Sequence, residues 1–390
     1  MKNVTRKADL TTLVKGLEAQ KLQKRDLVVP SKFIDMQDGL LVINNLGDSA
    51  LDSMLSASGI SRDDNGTSIR LSCLDICDAQ IAEKLGIPKA YYDKMRTDAT
   101  DLLGNNVRHW MQKSDANYFL RTFAADGDNG IGYARAFLSD RFKVIDNLDV
   151  LMAALDAIHD SPFKDKVQIE YCDITDKKMY IRFVAPSIEV EAGELMKKYR
   201  VPDNAGTGRT GIMSGFILTN SETGHGKFSI SPRAVVGACS NGIIFKDDQF
   251  AKLHLGSQME EGMVQWSEET VQKNLALIVS QVKDAVKTYL SPEFLGQKIA
   301  LMEAAAAHQL AHPVDAVANV CKHYSIGKEK QETLVNYFIQ GGDTTGWGLS
   351  QAVTFYAHHN ANADDQFELE QVGFDLLGKV KMFDVKASKN

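Results

Sequence analysis

Residues 211–245, GIMSGFILTNSETGHGKFSISPRAVVGACSNGIIF, are the stretch that decides the fold class. Three runs of apolar or alternating residues, GIMSGFILTN, GKFSISPRAVV and GIIF, are typical of β-strands. The residues between the first two runs are small and polar, and Asn241-Gly242 is a dipeptide that favours a tight hairpin turn. The stretch therefore predicts consecutive antiparallel strands joined by hairpins.

The strand pattern extends upstream to residue 117. Four further runs precede the first three: NYFLRTFAA (117–125), IGYARAFLS (131–139), VQIEYCDI (167–174) and KMYIRFVAP (178–186). A helix over residues 147–160, with Asn147 as its N-cap, separates the second of these runs from the third. We therefore predict an α+β fold with a central, mostly antiparallel sheet over residues 117–245, an α-rich N-terminal part and a helical C-terminal part.

The chain divides into four regions on this pattern. They are a basic amphipathic arm at 1–30, a mainly helical region at 31–116, a strand-rich core at 117–258 and a helical region at 259–390. In the second region Gly86 and Pro88 break a helical run, which predicts two packed helices. In the fourth region an apolar stripe needs a partner surface, either this chain's own sheet or a second copy of the chain. The stripe consists of Val271, Leu275, Ile278, Val282 and Val286.

Composition excludes several classes of protein. Of the 390 residues, 44% are hydrophobic and 24% are charged, which excludes a wholly disordered chain and a collagen-like one. The net charge of −7 counts against a uniformly basic nucleic-acid sleeve but allows a local basic groove. The start of the chain lacks the pattern of a signal peptide and no run of apolar residues is long enough for a transmembrane helix, so we expect a cytoplasmic protein.

The five cysteines are an odd and scattered set, which fits free thiols in a reducing compartment. Cys73 and Cys77 lie four residues apart, but no second Cys/His pair with zinc-type spacing follows them. A buried core pair is therefore the favoured interpretation. We predict no metal and no cofactor.

Basic and aromatic residues alternate on the predicted strands, a combination that holds single-stranded nucleic acid by phosphate contacts and base stacking. The candidate nucleic-acid-binding residues are Arg121, Arg135, Arg141, Lys143, Arg182 and Tyr133, together with Arg209 in the Gly-rich loop 206–211. The alternative is that half of the neighbouring aromatics belong to the core and that the arginines pair with Asp140, Asp146 or Asp149.

The segment 220–226, NSETGHG, places Glu222 and His225 close together after a strand. A glutamate and a histidine can transfer protons, which suggests a hydrolytic enzyme as one function. The alternative is a hairpin turn with both side chains in solvent. Because no nucleophile or metal-ligand set accompanies the pair, we favour the turn and a protein that is not an enzyme.

Seven stretches in order resemble the phage- and plasmid-associated family called domain of unknown function 932. They are KRDLVVP (24–30), NNVRHW (105–110), ARAFLSDRFKVIDN (134–147), ILTNSETGHGKFSISP (217–232), CSNGIIF (239–245), HLG (254–256) and TTGWGLSQAVTFYA (344–357). The resemblance spans nearly the whole chain and implies a mobile-element origin and a cytoplasmic setting, with no assigned activity, cofactor or catalytic residue. The strand and helix order is also similar to the core of phage single-strand annealing recombinases, an analogy of fold alone.

Together these features predict a mobile-element protein that binds nucleic acid, in the form of an oligomeric single-strand DNA binder or an annealing-type recombination protein. Two alternatives stay open at this point. One is a hydrolytic enzyme that uses Glu222 and His225, and the other is a non-catalytic protein that binds a host factor.

Overall fold

The computed structural model describes residues 5–47, 68–124, 131–142, 145–248, 250–253 and 268–386. Within these residues the chain forms two β-sheets and twelve α-helices, which confirms the α+β class and the helical C-terminal part. The strands are β1 (Thr5–Ala8), β2 (Lys24–Pro30), β3 (Ile34–Gln37), β4 (Leu40–Ile43), β5 (Ile69–Cys73), β6 (Asn117–Phe123), β7 (Gly132–Ser139), β8 (Gln168–Ile174), β9 (Met179–Glu191), β10 (Gly211–Asn220), β11 (Phe228–Val236), β12 (Asn241–Ile244) and β13 (Phe250–Leu253). The helices are α1 (Leu10–Gln23), α2 (Asp75–Leu85), α3 (Lys89–Asp98), α4 (Thr100–Gln112), α5 (Asn147–His159), α6 (Gly193–Met196), α7 (Glu268–Tyr289), α8 (Pro292–Ala307), α9 (Pro313–His323), α10 (Lys328–Gly341), α11 (Gly346–Asn360) and α12 (Ala363–Phe383).

Seven strands form the large sheet, in the order β1-β8-β9-β10-β11-β12, with β13 also paired to β11. All these pairings are antiparallel. Phe216 and Leu218 of the central strand β10 pack in a core with α5 and α7. Ile217, between them, packs with Ala363 and Phe367 of α12. Because successive side chains of a strand point to opposite faces, helices cover both faces of the large sheet.

Six strands form the N-terminal sheet, in the order β2-β6-β7-β5-β4-β3. Among the described pairings of this sheet, β5 with β7 is parallel and the others are antiparallel. The helices α2, α3 and α4 contribute to a separate apolar core of this sheet. The sequence predicted one central sheet, whereas β6 and β7 belong to this second sheet. Apolar alternation identifies a strand but does not specify which strand it pairs with, and this explains the difference.

The N-terminal segment predicted as a basic arm is part of both sheets. β1 forms an edge of the large sheet and β2 forms an edge of the N-terminal sheet, with α1 between them. The α1 helix begins after Asp9, whose carboxylate accepts a hydrogen bond from Thr12 N at 2.8 Å. Leu13 and Leu17 of α1 are buried in the core shared with α5 and α7.

Two local positions differ from those predicted. The turn between β11 and β12 uses residues 237–240, with a positive φ of 57° at Ser240, so Asn241-Gly242 lies inside β12 rather than in the turn. The side chain of Asn241 donates to Gln351 of α11, a contact that a solvent-exposed turn would not allow. Asn147 is the first residue of α5, and Asp146 is the N-cap.

The apolar stripe of α7 is covered by this chain. Ile278, Val282 and Val286 are fully buried in the core with α5 and the large sheet, and Leu275 packs against that core. The side chain of Val271 lies outside the described residues. The structure therefore places the chain's own elements, not a second copy, on the described part of the stripe.

Candidate nucleic-acid interface

Arg121 and Arg135 of the N-terminal sheet do not face solvent, in contrast to the prediction. They are 1% and 7% exposed and lie where that sheet meets the large sheet. Arg121 donates to Asp26 at 2.7 Å and to Asp146 at 2.8 Å, and Arg135 donates to Glu222 at 3.0 Å. Since these guanidinium groups already neutralise buried carboxylates, neither is available to a phosphate in this conformation.

The carboxylate partners of Arg121 keep its side chain positively charged. Burial by itself lowers the pKa of Arg121, but the hydrogen bond to Asp26 and the charges of Glu222 and Asp26 outweigh burial and raise the pKa above its ordinary value. Lys24 adds a further ion pair to Asp146. We call these residues the junction network: Lys24, Asp26, Arg121, Arg135, Asp146, Asn147, Asn220 and Glu222.

Arg182 lies in a different place, under α12. It is fully buried in β9, donates to Asp173 at 2.7 Å and lies 3.7 Å from Glu370 of α12. Arg233 of β11 contacts the same Glu370 at 3.4 Å. Sequence reasoning missed Arg233 and Glu370, because nothing in a single sequence reveals that a β11 residue and an α12 residue share a buried ion pair.

The other predicted binding residues are scattered. Tyr133 is half-buried and its ring stacks on Phe123 with centroids 5.0 Å apart. Arg141 is exposed after β7, and Arg209 is exposed in the loop before β10, with its Nη1 3.6 Å from Met213 Sδ. Lys143 lies outside the described residues. The structure therefore does not assemble the predicted set into one groove.

Glu222 and His225 form no proton-transfer pair among the described contacts. Glu222 is 5% exposed, accepts from Asn147 N at 2.7 Å and points to Arg135. The ring of His225 contacts Thr223 Oγ1 through Nδ1 at 3.1 Å, and burial lowers the pKa of His225. The segment is a turn, as favoured from the sequence, with positive φ at Gly224 (77°) and Gly226 (157°). Glu222, however, lies in the interior rather than in solvent.

The 220–226 turn anchors the two sheets to each other. Glu222 supplies an acceptor for the first backbone N–H of α5, because the N-cap Asp146 directs its own carboxylate to Arg121 and Lys24. Gln80 of α2 donates to Thr223 O at 2.7 Å. The role of Glu222 in this structure is therefore structural.

An exposed aromatic and basic surface lies at the end of α4, outside the predicted set of binding residues. Trp110 is 48% exposed, with Lys113 Nζ 5.4 Å from a ring centroid of its indole and the His109 ring edge-on at 5.2 Å. The turn Ser31–Phe33 contacts the segment that follows α4, since Ser31 N donates to Ala116 O at 2.9 Å, and within this turn Lys32 Nζ is 5.2 Å from the Phe33 ring centroid. We call this set the Trp110 surface: Lys32, Phe33, His109, Trp110 and Lys113.

The signal for this surface was present in the sequence. The core-facing residues of α4 are Leu103, Val107 and Met111. At the end of the helix stand Trp110 and, three residues later, Lys113. Residues three apart are neighbours on a helix, so a cation beside an indole was predictable. The exposure of the indole was not, because it depends on what covers the helix end.

No family model matches the chain, and neither the curated proteins nor the solved structures contain a match. The resemblance to the phage- and plasmid-associated family therefore stays a prediction. Within the described ranges, no helix is long and apolar enough to cross a membrane, and no group of three His, Cys, Asp or Glu side chains is placed to hold a metal ion.

Proposed function

We propose that the protein binds single-stranded nucleic acid and that bases stack on the Trp110 surface. The observation that carries the proposal is Trp110, a residue that is 48% exposed and whose indole has a lysine ammonium over it. A base stacked on an aromatic side chain contributes about 1–3 kcal/mol, and every base offers a face for stacking. Lys113, over the Trp110 ring, and Lys32, beside Phe33, supply cations for phosphates.

The electrostatics set the expected strength of binding. The chain carries a net charge of −7, and the interior arginines cannot offset it at the surface. Long-range attraction is therefore weak, and stacking has to supply most of the affinity. We propose in addition that the protein originates from a mobile element, which the family resemblance alone supports.

The decisive experiment is a fluorescence-anisotropy titration with a labelled single-stranded oligonucleotide at low salt. We expect Trp110→Ala to weaken binding by about 5-fold or more, because the stacking platform is lost. Tyr91→Ala is the matched control, since Tyr91 is 51% exposed on the neighbouring helix α3 and should leave affinity unchanged. Equal losses in both variants, or no binding by the folded wild-type protein, would reject the proposal and favour a protein ligand.

The salt dependence tests the charged part of the Trp110 surface. Lys113→Ala should weaken binding to all sequences about equally. It should also make the plot of log binding constant against log salt concentration less steep, by about the amount that corresponds to one released counterion. Lys94→Ala, an exposed lysine on α3, serves as the control. A salt slope unchanged in Lys113→Ala would show that this lysine does not contact phosphate.

The annealing-type version of the proposal requires a multimer. Light scattering with and without the oligonucleotide measures the assembly state directly. A multimer that forms with the oligonucleotide supports an annealing protein. A monomer under both conditions excludes the annealing function and is compatible with a single-strand binder.

A further inference from the structure

Two buried thiols touch at the beginning of α2. Cys73 ends β5 and Cys77 lies in the first turns of α2, with their sulfur atoms 3.6 Å apart. Cys73 is 8% exposed and Cys77 is fully buried. The other cysteines lie on separate elements, in β8, before β12 and in α9. The spacing in sequence allowed a buried core pair, and the structure adds direct contact between the two sulfur atoms.

We propose that Cys73 and Cys77 are a modification site, a dithiol that a peroxide converts reversibly to a disulfide. The sulfur of Cys73, as thiolate, attacks the O–O bond of hydrogen peroxide, so that an S–O bond forms and hydroxide leaves. The sulfur of Cys77 then attacks the sulfenic sulfur, the S–S bond forms, and the S–O bond breaks with release of water. In total two thiols lose two electrons and two protons, and one peroxide becomes two water molecules.

The two sulfur atoms have different environments, which assigns the order of these steps. Contact with Cys73 and burial both raise the pKa of the Cys77 thiol well above its ordinary value, so Cys77 is a poor first nucleophile. Cys73 keeps a small exposed area whereas Cys77 has none, so we expect peroxide to reach Cys73 first. Cys73 is therefore the residue oxidised first and Cys77 the resolving thiol. Burial makes the first step slow compared with that of an exposed thiolate.

Disulfide formation has a structural consequence for α2. The sulfur atoms must approach from 3.6 Å to ~2.05 Å, which draws the first turn of α2 toward the end of β5. The same helix carries Gln80, which accepts from Phe137 N at 2.8 Å and donates to Thr223 O at 2.7 Å. The redox state of the pair thus acts on the helix that connects the N-terminal sheet to the 220–226 turn.

The test treats the folded, full-length protein with hydrogen peroxide, blocks the remaining thiols, and maps cross-linked peptides by mass spectrometry without reduction. After digestion with trypsin we expect one peptide, residues 71–84, that carries an internal disulfide between Cys73 and Cys77. We also expect a loss of two of the five free thiols, and recovery of both on addition of dithiothreitol. Cys172→Ser is the matched control, because Cys172 is buried and should leave the cross-link intact.

The assigned roles are tested by single substitutions. Cys77→Ser should abolish the cross-link and leave Cys73 as a sulfenic acid that dimedone traps, whereas Cys73→Ser should leave no trappable group at Cys77. The proposal is overturned if the folded wild-type protein retains five thiols, or if the cross-link forms only in urea. Because the cross-link is mapped in the wild-type chain, the proposal is tested even where a variant fails to fold.

Discussion

Gly242 leaves the space that a buried, charged side chain occupies. A Cβ at this position would overlap Nε of Arg233, whose guanidinium is buried between Glu170 and Glu370. Burial by itself lowers the pKa of Arg233, but the charges of Glu170 and Glu370 outweigh burial and raise it above its ordinary value. The glycine is required for the close approach of a charged side chain to the β12 backbone, not for a positive φ.

We expect Gly242→Ala to destabilise the protein by about 1–3 kcal/mol, because the added methyl group displaces a buried, paired guanidinium. Gly296→Ala is the matched control, since a Cβ there meets nothing within 4 Å and Gly296 lies in the interior of α8. That substitution should stabilise by about 0.5–1 kcal/mol. Urea unfolding measures both, and equal effects at the two sites would show that Arg233 adjusts without cost.

At the scale of elements, α1 belongs to the core although it lies in the segment predicted as a basic arm. Two of the basic residues that precede it are already engaged: Arg6 pairs with Asp173 at 2.9 Å, and Lys7 donates to His358 O at 2.9 Å. Removal of residues 1–25 would therefore take away an edge strand of the large sheet and part of its core. We therefore expect the segment predicted as a basic arm to be needed for the stability of the large sheet.

Two leucines of α1 allow the effect of burial on stability to be measured separately from the effect of helix propensity. Leu17 is 3% exposed and Leu22 is 77% exposed, so the same substitution can be made on both sides of one helix. Leu17→Ala should cost about 2–5 kcal/mol of unfolding free energy, and Leu22→Ala close to nothing. Thermal unfolding followed by circular dichroism measures the difference. Similar melting temperatures for the two variants would mean that α1 is not packed as described.

At the scale of the whole molecule, the junction network connects the N-terminal sheet, which has its own apolar core, to the large sheet and its cores. The N-terminal sheet has its own core with α2 to α4, and the large sheet shares its cores with the remaining helices. Glu222 links them, since it belongs to the large sheet's 220–226 turn and contacts Arg135 of β7 at 3.0 Å. Breaking a buried pair leaves an uncompensated charge, so this junction is costly to disrupt.

We expect Glu222→Gln to destabilise the protein by about 3–5 kcal/mol, since Arg135 loses its buried counter-charge. In hydrogen exchange, β7 and β10 of the variant should lose protection at different denaturant concentrations, whereas in the wild type they lose it together. Glu83→Gln, at an exposed position of α2, should change neither property. If β7 and β10 of Glu222→Gln still lost protection at the same denaturant concentration, Glu222 would not be the residue that connects the two sheets.

The candidate site was partly predictable. The sequence correctly pointed to positive charges and aromatic rings as the features of a nucleic-acid site. It did not show that Arg121, Arg135 and Arg182 lie in the interior, where they cannot contact a phosphate. An arginine that contacts phosphate and one that neutralises a buried carboxylate look the same in a single sequence. Only the positions of Asp26, Asp173 and Glu222 in the fold distinguish the two cases.

The sequence by itself determined the elements whose causes are local. The α1 helix begins after Asp9, α2 ends at Gly86 with a positive φ of 66°, and β8 and β9 join in a hairpin across residues 175–178. Each depends on a cap, a turn or a periodicity within a few residues. Tertiary structure alone decided which strands that are distant in the chain pair with each other. β2 pairs with β6, for example, and Asp26 lies opposite Arg121 although they are 95 residues apart. Tertiary structure also decided which charges are buried, since burial depends on partners that no local pattern specifies.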